Sequence, residues 1–276
     1  MPASTPGHRP RKRFGQNFLH DENIIRKIVN AIEFDDELPV VEIGPGKGAL
    51  TRELLELKSP VHAIEIDRDL ASHLESSLAE FEHFHLYRDD ALKFDFKRIH
   101  PQPLQVIGNL PYNVSTPLLF HLLRYLPVIK SMLFMLQDEV VERICANEGS
   151  PDYGRLSVMI QSRCQVQKLF EVPATAFTPV PRVTSAIVML QPEPETQKQI
   201  LDFSLFEVVV RQAFSQRRKT IRRSLQGLLS KLEIESLGFS SDIRPGELSV
   251  NDFVKLANFA SDKSRSTGQA VDKSGD

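Results

Sequence analysis

Val40-Val41-Glu42-Ile43 runs directly into Gly44-Pro45-Gly46-Lys47-Gly48, and Leu50, Leu54 and Leu55 follow at helical spacing. No other stretch constrains the fold as much. A short apolar run bounded by glycines reads as a buried strand, and leucines three and four residues apart read as one face of a helix. Glycine is needed where the backbone turns tightly or lets a ligand approach. The alternation then repeats. Val61 to Ile66 predicts a second strand, and Leu70, Leu74, Leu78 and Phe81 a second helix. His83 to Tyr87 predicts a third strand, and Leu104 to Ile107 a fourth that ends at Asn109-Leu110-Pro111-Tyr112. Pro117 suits the first turn of a helix carrying Leu118, Leu119, Leu122, Leu123 and Leu126. Met132 to Leu136, Val166 to Phe170 and Val183 to Leu190 read as further strands. Ahead of them, Asp21 can cap a helix bearing Ile24, Ile25, Ile28, Val29 and Ile32. Strands alternating with helices argue an α/β domain whose mostly parallel sheet is covered on both faces.

The pattern changes at a Pro/Glu linker, Gln191 to Thr196. Beyond it three helical stripes follow: Leu205, Phe206, Val209, Val210 and Phe214; Ile221, Leu225, Leu228 and Leu229; and Phe253, Leu256 and Phe259, the last capped by Ser249. The expected organisation is a catalytic domain over 1–196, a small all-helical domain over 197–262 and a polar, disordered tail over 263–276. The formal net charge is -2, so any nucleic-acid contact must come from a local patch. No apolar run approaches the ~20 residues of a membrane span. Met1 to His20 lacks the apolar core of a secretory signal, so no membrane association and a cytoplasmic location are expected. Cys145 and Cys164 have no CxxC spacing, which argues against a disulfide framework or a zinc site, and no metal is expected. The lack of an apolar surface stripe favours a monomer.

In a doubly wound sheet, ligands bind over the turn after the first strand. Glu65 ends the next strand, about twenty residues after Gly44, where an acid accepts the ribose hydroxyls of a nucleoside cofactor. Gly44 and Gly46 would floor that site. Two cofactors compete for it. Gly44-x-Gly46-x-x-Ala49 satisfies a loose dinucleotide fingerprint. Against NAD, Pro45 removes an N–H that a pyrophosphate would use, and Glu42 would repel one. S-adenosylmethionine carries an ammonium and a sulfonium, which tolerate nearby acids.

Asn109-Leu110-Pro111-Tyr112 should lie at the same sheet edge. An adenine N6 amine is a poor nucleophile because its lone pair is delocalised into the ring. Acceptors that hold both N–H groups can turn that lone pair toward a methyl donor. The Asn109 side-chain oxygen and a Leu110 or Pro111 carbonyl are such acceptors. Pro111 stiffens the loop, and Tyr112 can stack on the purine. No strong base is needed, because the methylated ammonium sheds its proton to water. Phe177, on the rigid Phe177-Thr178-Pro179-Val180-Pro181-Arg182 segment, either sandwiches an extruded base against Tyr112 or anchors the core.

The glycine turn with its two acids resembles the class I methyltransferases, which implies a Rossmann-like mixed sheet. By that likeness Asp90, in Asp90-Ala91-Leu92, would bind the adenine amine of S-adenosylmethionine. Arg13-Phe14-Gly15-Gln16-Asn17-Phe18-Leu19, Tyr153-Gly154-Arg155-Leu156 and the Phe177 segment extend the likeness. Together they resemble the ribosomal RNA adenine dimethyltransferases from about residue 11 to residue 260. Arg244-Pro245-Gly246-Glu247-Leu248-Ser249 favours the bacterial small-subunit branch. The resemblance implies cofactor contacts from Asn17 and Leu19 beside Gly44, Glu65, Asp90 and Asn109. It also implies dimethylation of two adjacent adenines in a hairpin near the 3′ end of 16S rRNA, in an immature small ribosomal subunit, coupled to subunit biogenesis.

Arg211, Arg217, Arg218, Lys219, Arg222 and Arg223 fall in a stretch without acids, and Arg9, Arg11, Lys12 and Arg13 form a second cluster. On a helix, Arg218, Lys219 and Arg222 would share a face. The run is either an RNA-binding patch, with affinity that falls steeply with salt, or an ordinary solvated face.

Overall fold

A computed structural model of the chain describes residues 16–32, 34–193, 199–216 and 218–271. The chain forms two compact units, Met1–Val141 with Val166–Pro192, and Glu142–Gln165 with Glu193–Asp276.

In the first unit a two-residue strand, β1 (Phe18–Leu19), precedes α1 (Glu22–Val29). Asp21 starts α1 as expected, its carboxylate accepting from the N–H groups of Asn23 and Ile24, and Ile25, Ile28 and Val29 turn into the core. There follow β2 (Val40–Ile43), α2 (Ala49–Leu54), β3 (Val61–Ile64), α3 (Arg68–Ser77), β4 (Phe84–Tyr87), β5 (Leu104–Asn109), α4 (Ser115–Leu122) and β6 (Ile129–Gln137). The helix α5 (Asp138–Cys145) and the strand β7 (Cys164–Val172) cross between the units. β8 (Phe177–Thr178) and β9 (Ser185–Pro192) complete the first unit.

Seven strands form one sheet in the order β4-β3-β2-β5-β6-β9-β7. β4 through β6 are mutually parallel, and β9 runs antiparallel to β6 from Met132↔Leu190 to Gln137↔Ser185. Every residue of β2 and β3 is buried, which requires cover on both faces of the sheet. The mixed α/β sheet inferred from the alternating sequence pattern is therefore present. From β2 the chain moves outward to β4, then returns to β5 on the other side of β2. The strand order thus reverses between β2 and β5, and the crevice over their carboxyl ends is where such sheets take ligands.

Two features of this unit escape sequence periodicity. β5 continues past Ile107 through Gly108 and Asn109, which puts Asn109 on the strand rather than in the loop after it. β1 and β8 are too short to leave a period-2 signal, yet they pair antiparallel as Phe18↔Thr178 and Leu19↔Phe177.

The second unit contains α6 (Arg155–Gln161), α7 (Phe203–Ala213), α8 (Ile221–Ser224), α9 (Lys231–Ser236) and α10 (Val250–Val271). Tyr153 is buried, and its hydroxyl donates to the Leu248 carbonyl at 2.9 Å. Phe214 lies between the Tyr153 and Phe253 rings, at 6.2 and 5.4 Å. This packing corrects the boundary expected at residue 196. Glu142–Gln165 belongs with the C-terminal helices because α6 packs on α7 and Arg155 pairs with Glu207 at 3.1 Å.

Two more expectations change. The stripe from Ile221 to Leu229 yields only the one turn of α8. Thr220 is extended before it, Gly227 adopts φ +95° after it, and the N–H groups of Ile221 and Arg222 go to the carbonyls of Ile243 and Ser241. Arg218 and Lys219 therefore precede the helix and do not share a helical face with Arg222. The polar stretch after Ser261 is helical through Val271, and Lys263 ties that helix to Glu233 at 2.9 Å. Residues 272–276 of the expected tail lie outside the described residues. Among the described residues no helix is long and apolar enough to cross a membrane.

Candidate active site

The crevice at the strand-order reversal is a cavity of about 320 Å3. Its floor is the turn after β2. Gly44 and Gly46 stand at φ +68° and +59°, in the left-handed region where a side chain is strained. A Cβ on Gly46 would also stand 3.3 Å from the Phe18 ring. Gly108 is needed for another reason. A Cβ there would lie 2.6 Å from the Ile43 carbonyl oxygen, so a larger residue would push β5 away from β2.

Two carboxylates underlie the turn. Glu65 follows β3 and is braced by N–H groups, Gly46 donating to Oε2 at 3.1 Å and Asp67 to Oε1 at 2.8 Å. Burial pushes its pKa up, and those two N–H groups oppose the shift. Glu42, on β2, is fully buried and accepts from the Thr51 hydroxyl at 2.6 Å. Desolvation raises its pKa from 4.5 to about 7; the Thr51 bond works against this, and the charge of Glu65 adds to it. The floor is thus an acidic, water-poor surface, complementary to a cation.

Asp90, after β4, accepts the Leu92 N–H on Oδ1 at 3.0 Å and lines the cavity. Leu50, Ile66, Leu92 and Leu110 supply apolar wall. The segment Gln16 to Leu19 forms another wall, and Gln16 reaches Asp67 at 3.3 Å.

Asn109 closes β5 at the same edge. Its Nδ2 donates to the Asn17 carbonyl at 3.1 Å, so Oδ1 is the atom left to accept from a ligand. The N–H of Leu110 goes to Met135, and the Pro111 carbonyl accepts the Val114 N–H at 3.1 Å. Of the two carbonyls the sequence offered, that of Leu110 accepts no backbone hydrogen bond among the described residues. The Tyr112 hydroxyl shares a hydrogen bond with Ser185 on β9 at 2.8 Å, and burial raises its pKa, so the phenol stays neutral and the ring is tethered.

Asn17, Leu19, Gly44, Gly46, Glu65, Asp90, Asn109, Leu110, Pro111 and Tyr112 all line this one cavity. Phe177 does not. It is 1% exposed, packed in the core beside Leu19 and Ala176, and of its two sequence readings the core anchor is the one the structure adopts. Its place is set by the β1–β8 pairing, which turns its ring inward. Arg218, Lys219 and Arg223 are exposed in the second unit, and Arg222 is paired with Asp242 at 3.6 Å. Arg217 and the cluster Arg9, Arg11, Lys12 and Arg13 lie outside the described residues. Sequence reasoning missed Thr51, Ser185, Gln16 and Gly108. Only Gly108 left a trace, as a glycine interrupting an apolar strand.

A family model described as ribosomal RNA adenine dimethylase matches residues 7–262. The ribosomal RNA small subunit methyltransferase A of Pseudomonas syringae pv. tomato is 50% identical over 93% of this chain and 96% of its own. That of Aromatoleum aromaticum is 49% identical, again over 93% and 96%. Among solved structures, a dimethyladenosine transferase from Plasmodium falciparum superposes with a TM-score of 0.75 at 30% identity, over 86% of this chain and 95% of that one. The 23S rRNA methyltransferase ErmE superposes with a TM-score of 0.66 at 26% identity, over 89% and 100%.

Proposed function

The chain belongs to the ribosomal RNA adenine dimethylase family, and from that membership and its cavity we propose that it uses S-adenosylmethionine to dimethylate N6 of two adjacent adenines in a hairpin near the 3′ end of 16S rRNA. The substrate in this reading is the RNA of an immature small ribosomal subunit in the cytoplasm. The enzyme acts as a monomer, and its action is coupled to subunit biogenesis.

The donor fits the cavity on three counts. Buried Glu42 and Glu65 favour a cationic ligand, the Asp90 carboxylate suits an exocyclic amine, and the apolar wall suits a purine. S-adenosylmethionine supplies an electrophilic methyl on a positively charged sulfur. Glu65 would hold the ribose hydroxyls, Asn17, Leu19, Gly44 and Gly46 would form the surrounding wall, and Asp90 the adenine subsite. The chain's own groups do the rest. Asn109 Oδ1 and the Leu110 carbonyl accept the two N–H groups of the target amine and so free its lone pair from the ring. Tyr112, tethered by Ser185, stacks on the purine. As positive charge develops on the nitrogen, the same two oxygens stabilise it, and solvent takes the proton.

The observation that carries this reading is the orientation of the Asn109 amide. Its nitrogen donates to Asn17, which supports assigning Oδ1 as an acceptor for the target amine. Nucleosides from RNA treated with the protein and S-adenosylmethionine are expected to contain N6,N6-dimethyladenosine by mass spectrometry. Asn109→Ala should lower kcat about a hundred- to a thousandfold, as removal of one preorganised charge-stabilising group does elsewhere. Full activity in that variant would sink the assignment. The biogenesis role predicts that the inactive chain still binds the immature subunit, as read by sedimentation.

A further inference from the structure

The loop from Pro179 to Thr184 joins β8 to β9 and takes no part in the chemistry above. Both of its ends are anchored at the cavity. β8 pairs with β1, whose Phe18 and Leu19 line the cavity, and Ser185, the first residue of β9, bonds the Tyr112 hydroxyl. The Thr184 carbonyl is fixed as well, by the Asp138 N–H at 3.0 Å. Between these anchors the loop exposes apolar side chains rather than covering them: Val180 is 63% and Val183 is 40% exposed. Among the described residues of this unit the only other exposed large hydrophobic is Ile66, itself on the cavity wall. Arg182, between the two valines, is also exposed.

We propose that Val180 is a wedge that enters the RNA base stack at the place the target adenine leaves. This rests on the reading of the cavity as an adenine N6 methylation site. An amine stacked in RNA cannot reach the acceptors of Asn109 and Leu110, so the base must be drawn out and its neighbours parted. Enzymes and architectural proteins that part bases do so with an apolar side chain on a stiff mount. Val180 stands between Pro179 and Pro181, whose rings fix φ on either side, and its own β-branched side chain has little rotamer freedom. Little entropy is lost when it inserts. An apolar, uncharged tip also suits a base face better than a phosphate, while Arg182 beside it suits the backbone. RNA is favoured over a protein partner because the two valines flank an exposed arginine on a loop whose two ends are tied to residues that line the cavity.

The test uses a hairpin RNA with 2-aminopurine at the target position. That base lacks the N6 amine, so it reports extrusion by brightening without any methyl transfer. The full chain is expected to brighten it. Val180→Gly should lower the extrusion equilibrium about tenfold, the order that follows from losing the burial of a valine side chain. Val180→Ile should restore it. On RNA whose base next to the target adenine is abasic, so that little stacking opposes extrusion, Val180→Gly should methylate at the rate of the unaltered chain. Equal brightening by the unaltered chain and Val180→Gly would overturn the wedge, as would a methylation defect that persists on abasic-neighbour RNA. Failure of the unaltered chain to methylate any RNA would instead overturn the reading of the active site, and the wedge with it.

Discussion

Replacing Glu42 by Gln should stabilise the protein, and by an amount that depends on pH. Glu42 is fully buried, with a carboxyl pKa raised from 4.5 to about 7, chiefly by desolvation. At about 1.4 kcal/mol per pKa unit the difference is worth about 3 kcal/mol. Between pH 4.5 and 7 the folded chain keeps a proton that the unfolded chain has lost, so stability falls as pH rises through that window. Below it Glu42 is neutral in both states and costs nothing by this route. Above it the whole penalty is present. Gln keeps the acceptor for the Thr51 hydroxyl and never ionises. His62, held down to about 4 by burial, contributes a slope of opposite sign, but it is common to both proteins and cancels in the difference. Urea unfolding of the two chains should therefore give nearly equal stabilities at pH 4.5 and a gain for Glu42→Gln that grows to about 3 kcal/mol by pH 8. The corresponding rise in Tm at pH 8 is about 6 to 10 °C for a domain of this size. Stability curves that run parallel from pH 4.5 to 8 would refute the claim that a buried, proton-holding carboxyl underlies the cavity.

A cationic ligand beside Glu42 should draw off its proton, so S-adenosylmethionine affinity by calorimetry should rise as pH passes through 7, and Glu42→Gln should flatten that dependence. Gly108→Ala forces a Cβ to 2.6 Å from the Ile43 carbonyl. It should destabilise the fold by about 2 to 3 kcal/mol in chemical unfolding, as overpacking does in a filled core, and weaken cofactor binding because β2 and β5 must part. Tyr153→Phe leaves the buried Leu248 carbonyl without its donor and should cost about 1 to 2 kcal/mol by the same measurement. Arg222→Glu combined with Arg223→Glu should weaken RNA binding in a filter assay and reduce its salt dependence, while cofactor affinity stays as it was.

How much could be read from sequence differs sharply between floor and rim of the cavity. The floor is local. Val40 to Gly48 is one continuous strand, turn and helix start, so both the turn and the acid at Glu65 can be placed from spacing alone. Asn109 also falls at the right edge, because a parallel strand after the third must return beside the first. The rim is made of partners far apart in sequence. Asn17 lies 92 residues from the amide it orients, and Ser185 lies 73 residues from Tyr112. Neither pairing leaves a periodic trace. Phe177 illustrates the limit well. Its sequence motif points to a rigid loop near the cavity, but the side a ring faces is decided by pairing with Leu19, a contact no local pattern encodes. The helix expected across the basic run after Phe214 starts only at Ile221, for a related reason. Its helical spacing is real, but the backbone donors of Ile221 and Arg222 are claimed by Ile243 and Ser241.

On the roles proposed for Asn109 and Leu110, long-range pairing would also bear on how one amine is methylated twice without a strong base. A primary amine offers two N–H groups, and after one transfer it offers a single one. A site whose two acceptors were equally fixed would have to present one of them to the new methyl group. Here they differ in kind. The Leu110 carbonyl is backbone, rigid between the Leu110–Met135 bond and the Pro111 ring. Asn109 Oδ1 belongs to a side chain held by one hydrogen bond to Asn17. Of the two, only the amide can turn without moving backbone, and turning it would stretch its bond to Asn17 in the segment that walls the cavity. A second methyl transfer requires fresh cofactor in any case. In the proposed reading, the Asn109–Asn17 bond would link the change in the amine to the wall of the cavity that must be refilled.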